Sequence, residues 1–309
     1  MKIVITCPRY FSEIENLENI LSNQEVSIKK HNPKNQGFNY QEMEYLLKDA
    51  DVAIIGDDYI NREIVKNLPN LKLIIKWGVG TDNIEIDKNS SNPIILNSPA
   101  DIYLDVAEHT VFLIGALFKK IPFINDQIKN KHLWTKPVGN RIAKKNVGLI
   151  GYGMIGKQVS KILSSFDANF YYFDPYVETS KNDIAKKADL KVLAEKCDII
   201  IVSASLTEES EYLIDKDFFS SLLKKPVLIN VSRGKIINEN DLVYALNEKL
   251  ISGCALDVFE EEPINKENQL KNFENVIFSS HNASNTYEAN NSVNSQITKS
   301  LLKWIKDGY

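Results

Sequence analysis

Three polar side chains stand where apolar runs end, and their types suit one reaction. Arg233 follows Leu228-Ile229-Asn230-Val231-Ser232, Glu262 closes Asp257-Val258-Phe259-Glu260-Glu261, and His281 follows Ser279-Ser280 after the run 276–278. In an open α/β sheet, ligands bind beyond the carboxyl ends of the strands, where all three could converge. An arginine grips a carboxylate through two parallel hydrogen bonds. A histidine carries a proton near neutral pH, and a neighbouring glutamate favours its imidazolium form. Hydride removal from C2 of a 2-hydroxy acid needs simultaneous removal of the hydroxyl proton, so a carboxylate clamp, a base and a hydride acceptor would suffice. Singly, each residue admits a plainer role. Arg233 fits a solvated loop charge, Glu262 one of three consecutive surface glutamates, and His281 a ring bonded to a backbone carbonyl.

A hydride acceptor is implied by Val147-Gly148-Leu149-Ile150-Gly151-Tyr152-Gly153-Met154-Ile155-Gly156, a G-x-G-x-x-G series after an apolar run and before a helical pattern. Gly151 permits a tight turn, Gly153 lets the backbone approach a pyrophosphate, and Gly156 lets the helix pack on the strand. Asp174 ends the next apolar run, where a carboxylate accepts hydrogen bonds from ribose hydroxyls and repels a 2′-phosphate, favouring NAD over NADP. Asp174 also fits a turn residue before Pro175. The same segment nearly reads as a phosphate loop, but Gly156-Lys157 is followed by Gln158, not by the Ser or Thr that magnesium needs.

The surrounding pattern must place these groups. Strand and helix periods alternate through residues 3–96, and again from 147 to 278, with strands expected at 147–150, 169–173, 199–203, 227–230 and 276–278. Such alternation implies parallel sheets covered on both faces. The expected architecture is α/β, two Rossmann-like doubly wound parallel-sheet domains with a cleft between them. The first comprises residues 1–97 plus 285–309, the second residues 98–284. Residues 102–121 read as one long apolar helix ended by Pro122, wide enough to bury more than one face, against a second subunit or wedged between domains. Ser12-x-x-Glu15 reads as a capping box. A length of 309 residues suits two domains, and 43% hydrophobic with 25% charged residues is an ordinary globular balance. A net charge of −4 without basic runs excludes a nucleic-acid footprint. No apolar run is long enough for a membrane span. The three dispersed cysteines offer neither a dithiol nor metal-ligand spacing and fit a reducing cytosol.

At these residues the chain resembles the D-isomer-specific 2-hydroxyacid dehydrogenases. The likeness runs through Trp77-Gly78-Val79-Gly80-Thr81-Asp82-Asn83-Ile84, Ala107-Glu108-His109-Thr110, the glycine loop, residues 230–234, residues 253–263 and His281. It implies an NAD-dependent enzyme acting on a small D-2-hydroxy acid or 2-oxo acid. Arg233 would bind the substrate carboxylate and carbonyl, His281 would be the acid/base, and Glu262 would pair with it. Gly78 and Val79 would hold the carboxylate, with Trp77 beside them as a pocket wall or a core residue. Asp257 would orient the nicotinamide amide. Gly153, Met154 and Ile155 would contact the pyrophosphate and Asp174 the ribose, with Gly151, Gly156, Leu206, Thr207 and Val231 completing the cofactor set. A homodimer built on the long helix, a cytoplasmic location and no metal are also implied.

The chain departs from the family pattern in places. Ser203-Ala204-Ser205-Leu206-Thr207 replaces an H-x-P-x-T stretch, and Ser280 replaces a proline before the histidine. Gly56-Asp57-Asp58 would repel a phosphate, and no regulatory domain is expected after Tyr309. A different class, an NAD(H)-sensing binding protein with little turnover, shares the fold. Retention of Arg233, Glu262 and His281 argues against it.

Overall fold

Short β-branched runs alternate with amphipathic helices, and a computed structural model describes residues 1–34, 37–86, 93–178 and 184–308 of the result. Two compact units emerge, Met1–Ile102 with Asn285–Tyr309, and Tyr103–Ser284.

In the first unit, strands β1 (Lys2–Ile5), β2 (Ser27–Lys30), β3 (Val52–Ile55), β5 (Leu73–Lys76) and β7 (Ile94–Asn97) form a parallel sheet in the order β2-β1-β3-β5-β7. The two-residue strands β4 (Ile60–Asn61) and β6 (Ile84–Glu85) pair separately. Side chains alternate across the sheet, so each strand feeds two cores. Ile3, Ile5 and Ile54 pack with Leu17, Val293, Ile297 and Leu301, while Val4, Ala53 and Ile55 pack with Met43, Leu47 and Ile64. The C-terminal helix Tyr287–Lys306 thus covers one face, and helices Tyr40–Leu47 and Arg62–Lys66 the other. A capping box does form, at Asn39 and Glu42 rather than at Ser12 and Glu15. Pro8 opens a 3-10 turn over Pro8–Glu13, which takes Ser12 inside a helical turn, where it cannot act as an N-cap.

The second unit holds β8 (Asn146–Ile150), β9 (Asn169–Phe173), β10 (Lys186–Lys187), β11 (Ile199–Val202), β12 (Val227–Asn230), β13 (Gly253–Leu256) and β14 (Val276–Phe278). All are parallel, in the order β10-β9-β8-β11-β12-β13-β14. Again one core lies on each face. Leu149, Ile201 and Ile229 pack with Ile114, Phe118 and Val159, and Ile150, Ile200 and Leu228 with Leu193, Phe219 and Leu242. The strand order reverses between β8 and β11, the crevice where doubly wound sheets bind ligands.

The long apolar helix is two helices. Ile102–Phe118 stops at a left-handed Lys120, and Ile121–Lys129 begins with Pro122 in its first turn. Proline does not end the first helix but starts the second, where its missing N–H has no partner to lose. The first helix buries Val106, Leu113, Ile114 and Phe118 and leaves Phe112 exposed. Among the described residues, no helix is long and apolar enough to cross a membrane. Burial pushes the thiols of Cys7 and Cys197 up to about 12, as expected of packing residues.

Candidate active site

Strands β12, β13 and β14 are neighbours, so the segments leaving their carboxyl ends share one edge of the sheet. Those segments carry Arg233, then Asp257 and Glu262, then His281. The structure brings two of the expected groups into direct contact. Nδ1 of His281 lies 2.8 Å from Oε2 of Glu262. The ring and the carboxylate are both partly buried. An ionised carboxylate only accepts, so Nδ1 carries the proton of this bond and Nε2 is left for exchange. Oε1 of Glu262 accepts from the Phe259 amide at 2.9 Å, which fixes the carboxylate's plane.

His281 itself sits in the left-handed region, at φ 52°. A non-glycine residue holds that conformation only where its surroundings over-determine it. Asp257 supplies those surroundings. Its carbonyl accepts from the His281 amide at 2.7 Å, and its buried carboxylate accepts from the amides of Asn282 (2.9 Å) and Ala283 (3.0 Å). Nε2 of His109 lies 3.6 Å from the same carboxylate, beyond hydrogen-bond distance. This structural role for Asp257 was not legible in the sequence, and neither was the neighbourhood of His109.

Arg233 is held by its own loop. The Asn230 side chain donates to the Arg233 carbonyl at 2.9 Å and accepts from the Ser232 amide at 3.1 Å. The Ser232 hydroxyl bonds to the carbonyl of Ala204, tying this loop to the one after β11. Nη1 of Arg233 donates to the Ser232 carbonyl at 2.8 Å. Gly234 is obligatory, because a Cβ there would fall 1.9 Å from the Phe259 carbonyl carbon.

The glycine loop leaves β8 at the strand-order reversal. Gly151 has φ 92°, and a Cβ on it would lie 2.4 Å from the Ala204 nitrogen. A Cβ on Gly156 would lie 2.5 Å from the Gly151 carbonyl oxygen, whereas at Gly153 none of the atoms around it comes within 4 Å. Two glycines are therefore demanded by protein packing, and the third faces open space at the N-terminus of helix Met154–Leu163. That opening, with Met154 exposed and Ile155 half-buried, fits a pyrophosphate on the helix end. Asp174 accepts from the Tyr152 and Tyr176 amides, both at 2.9 Å, which aims its carboxylate alongside the loop. It retains lone pairs for ribose hydroxyls. Ser203, in place of a family histidine, donates to the Gly151 carbonyl at 3.0 Å and so braces the loop. Thr207 closes a turn with Ser210 through its amide at 2.7 Å. Leu206 is half-buried and Val231 buried.

In the first unit, Gly78 follows β5 with φ 97°, and Val79 is half exposed. Among the described residues, neither of these two amides has a hydrogen-bond partner. Trp77 is a core residue by burial, 2% exposed, with Nε1 donating to Asn294 at 2.9 Å. The expected repulsion by Asp57 and Asp58 is weakened by their partners. Asp58 is buried and accepts from Thr6, Phe38 and Gly56, and burial pushes its carboxyl above the usual carboxylate range. Asp57 pairs with the buried ammonium of Lys76 at 3.4 Å.

The doubly wound fold, the dinucleotide loop at the strand-order reversal and the acidic residue ending β9 together define an NAD-dependent oxidoreductase. Residues 111–283 match the family described as "D-isomer specific 2-hydroxyacid dehydrogenase, NAD binding domain". The chain is 36% identical over 270 residues to the glyoxylate reductase of Thermofilum pendens, covering 84% of this chain and 79% of that one. It is 30% identical to the D-3-phosphoglycerate dehydrogenase of Methanocaldococcus jannaschii, covering 99% of this chain and 58% of that longer one. A crystal structure of D-lactate dehydrogenase from Aquifex aeolicus, complexed with NAD and lactic acid, has the same fold, with a TM-score of 0.85 at 23% identity over 99% and 96% of the two chains. The chain belongs to the D-isomer specific 2-hydroxyacid dehydrogenase family.

Proposed function

We propose that this protein interconverts a small D-2-hydroxy acid and its 2-oxo acid with NAD(H), with His281 as the acid/base. The observation that carries the reading is the 2.8 Å bond between His281 and Glu262, at the sheet edge that also bears Arg233. In the reductive direction, His281 gives a proton from Nε2 to the forming alkoxide while Glu262 holds the resulting charge balance on the ring. Arg233 takes the substrate carboxylate and polarises the carbonyl. The amides of Gly78 and Val79, without partners among the described residues, supply donors for a substrate carboxylate in the first unit, and Trp77 fixes their turn. Thus the first unit is the substrate-binding domain and the second the NAD-binding domain.

The residues present fit the dinucleotide. Gly153, Met154 and Ile155 would hold its pyrophosphate on the turn that Gly151 and Gly156 permit, Asp174 its adenosine ribose, Asp257 its nicotinamide amide, and Leu206, Thr207 and Val231 its remaining faces. When bound, NAD(H) accepts or supplies the hydride at C2. Asp174 favours NAD over NADP, because its carboxylate would repel a 2′-phosphate. The exposed Phe112 on helix Ile102–Phe118 supports a homodimer through that helix.

NADH consumption across a panel of 2-oxo acids, in wild type and Arg233→Ala, tests the reading. Turnover of at least one acid is expected, with kcat/KM reduced roughly a hundredfold or more in the variant and NADH affinity retained. Tight NADH binding without turnover of any acid would overturn it.

A further inference from the structure

The carboxyl edge of the first unit's sheet carries a cation that the reaction above does not use. Arg9 follows β1, and its guanidinium carbon stacks 4.6 Å from the centroid of the Trp77 ring. Both partners are held by one side chain. Asn294, itself buried, accepts from Trp77 Nε1 at 2.9 Å and donates to the Arg9 carbonyl at 2.9 Å. The Arg9 backbone and the Trp77 ring are therefore fixed before any ligand arrives, and the guanidinium rests on that ring. The neighbouring charges cancel otherwise. Lys76 is paired with Asp57 and donates to the Trp77 carbonyl at 2.9 Å, and Asp58 is turned inward on Thr6, Phe38 and Gly56. Among the described residues, Arg9 has no carboxylate partner. One preorganised positive charge remains, adjacent in space to the Trp77-Gly78-Val79 turn.

We infer that Arg9 is a specificity residue that binds a second carboxylate at the far end of the substrate, so that the preferred substrate is a 2-oxo or 2-hydroxy diacid. The inference rests on the function proposed above, which supplies donors for the first carboxylate at Gly78 and Val79. A planar guanidinium matches a carboxylate through two parallel bonds. A phosphate dianion would call for a second cation, and Lys76 is already neutralised by Asp57. Stacking on a tryptophan leaves the guanidinium edge free to donate.

The test is steady-state reduction of 2-oxosuccinate, 2-oxoglutarate, 2-oxobutyrate, 2-oxovalerate and the phosphate monoester of 3-hydroxy-2-oxopropanoate by wild type, Arg9→Gln and Arg9→Lys. A diacid is expected to be preferred over the monoacid of equal length. Arg9→Gln should raise KM for the diacid about tenfold or more. Its kcat and its monoacid kinetics should stay within about twofold of wild type. Arg9→Lys should recover part of the loss. No diacid preference in wild type, or an equal loss on monoacids, overturns the inference while leaving the proposed function intact. A preference for the phosphate ester overturns the assignment to a carboxylate. If no acid turns over, the proposed function fails instead, and calorimetry with D-2-hydroxysuccinate and the NAD-loaded protein decides the inference. Binding to wild type that Arg9→Gln loses supports it, and no binding to wild type overturns it.

Discussion

Asp257 and His281 form a single mechanical piece, since the aspartate holds three consecutive amides, those of His281, Asn282 and Ala283, through its carbonyl and both carboxylate oxygens. Replacement by Ala strands two amides, one of them on a buried residue. We expect Asp257→Ala to lower unfolding free energy by about 1–3 kcal/mol. It should also reduce kcat by more than it changes NADH affinity. Chemical denaturation and stopped-flow kinetics would check this, and a fully stable, fully active variant would refute the anchoring role.

The carboxylate of Glu262 should matter through its charge as well as its shape. Glu262→Gln keeps the size and one acceptor but removes an anion 2.8 Å from Nδ1. The 2-oxo acid reduction rate is expected to fall on the order of 10²-fold, with NADH affinity unchanged. Oxidation should slow as well, because the overall equilibrium fixes the ratio of the two directions. An unchanged reduction rate would sink the pairing.

The three glycines of the dinucleotide loop should separate cleanly. Gly151→Ala meets a φ of 92° and the Ala204 backbone, and Gly156→Ala meets the Gly151 carbonyl. Each should cost on the order of 1–3 kcal/mol of stability. Gly153→Ala places its methyl in open space, so its melting temperature should match wild type while NADH affinity drops. Equal melting behaviour of all three variants would contradict this division.

Asp198 provides a pH signature in the second unit. Burial pushes its carboxyl up, but the Asn146 amide at 3.0 Å with Lys145 and Lys224 outweighs burial and holds it below the usual carboxylate range. A depressed folded value means stability that is present above the unfolded pKa and lost as pH falls through the folded one. Asp198→Asn should therefore be about 1–2 kcal/mol less stable at neutral pH. That gap should close in acid. Urea titrations at several pH values would show it, and a gap independent of pH would rule out the ionic account.

Much of this was legible from residues alone. Short apolar runs alternating with helical patterns pointed to both parallel sheets, and the G-x-G-x-x-G series with Asp174 marked the loop after β8. The resemblance implied the His281–Glu262 pair, and the contact forms because the two residues lie on segments leaving neighbouring strands. Other features depend on contacts that no local pattern encodes. Asn294 reaches Trp77 across 217 positions of sequence. Pro122 looks like a terminator, yet a left-handed Lys120 makes it an initiator. Asp57 and Asp58 read as a repulsive pair, and only their burial and partners show them largely compensated.

The division of the sequence also bears on synthesis. The second unit is one uninterrupted stretch, whereas the first needs two stretches that flank it. On the ribosome, β1 and β3 emerge early, but Val293, Ile297 and Leu301 that cover them arrive only with helix Tyr287–Lys306. The dinucleotide-binding half can therefore mature while its partner half still exposes Ile3, Ile5 and Ile54, a window in which chaperone protection or premature aggregation would act on the earliest-made strands.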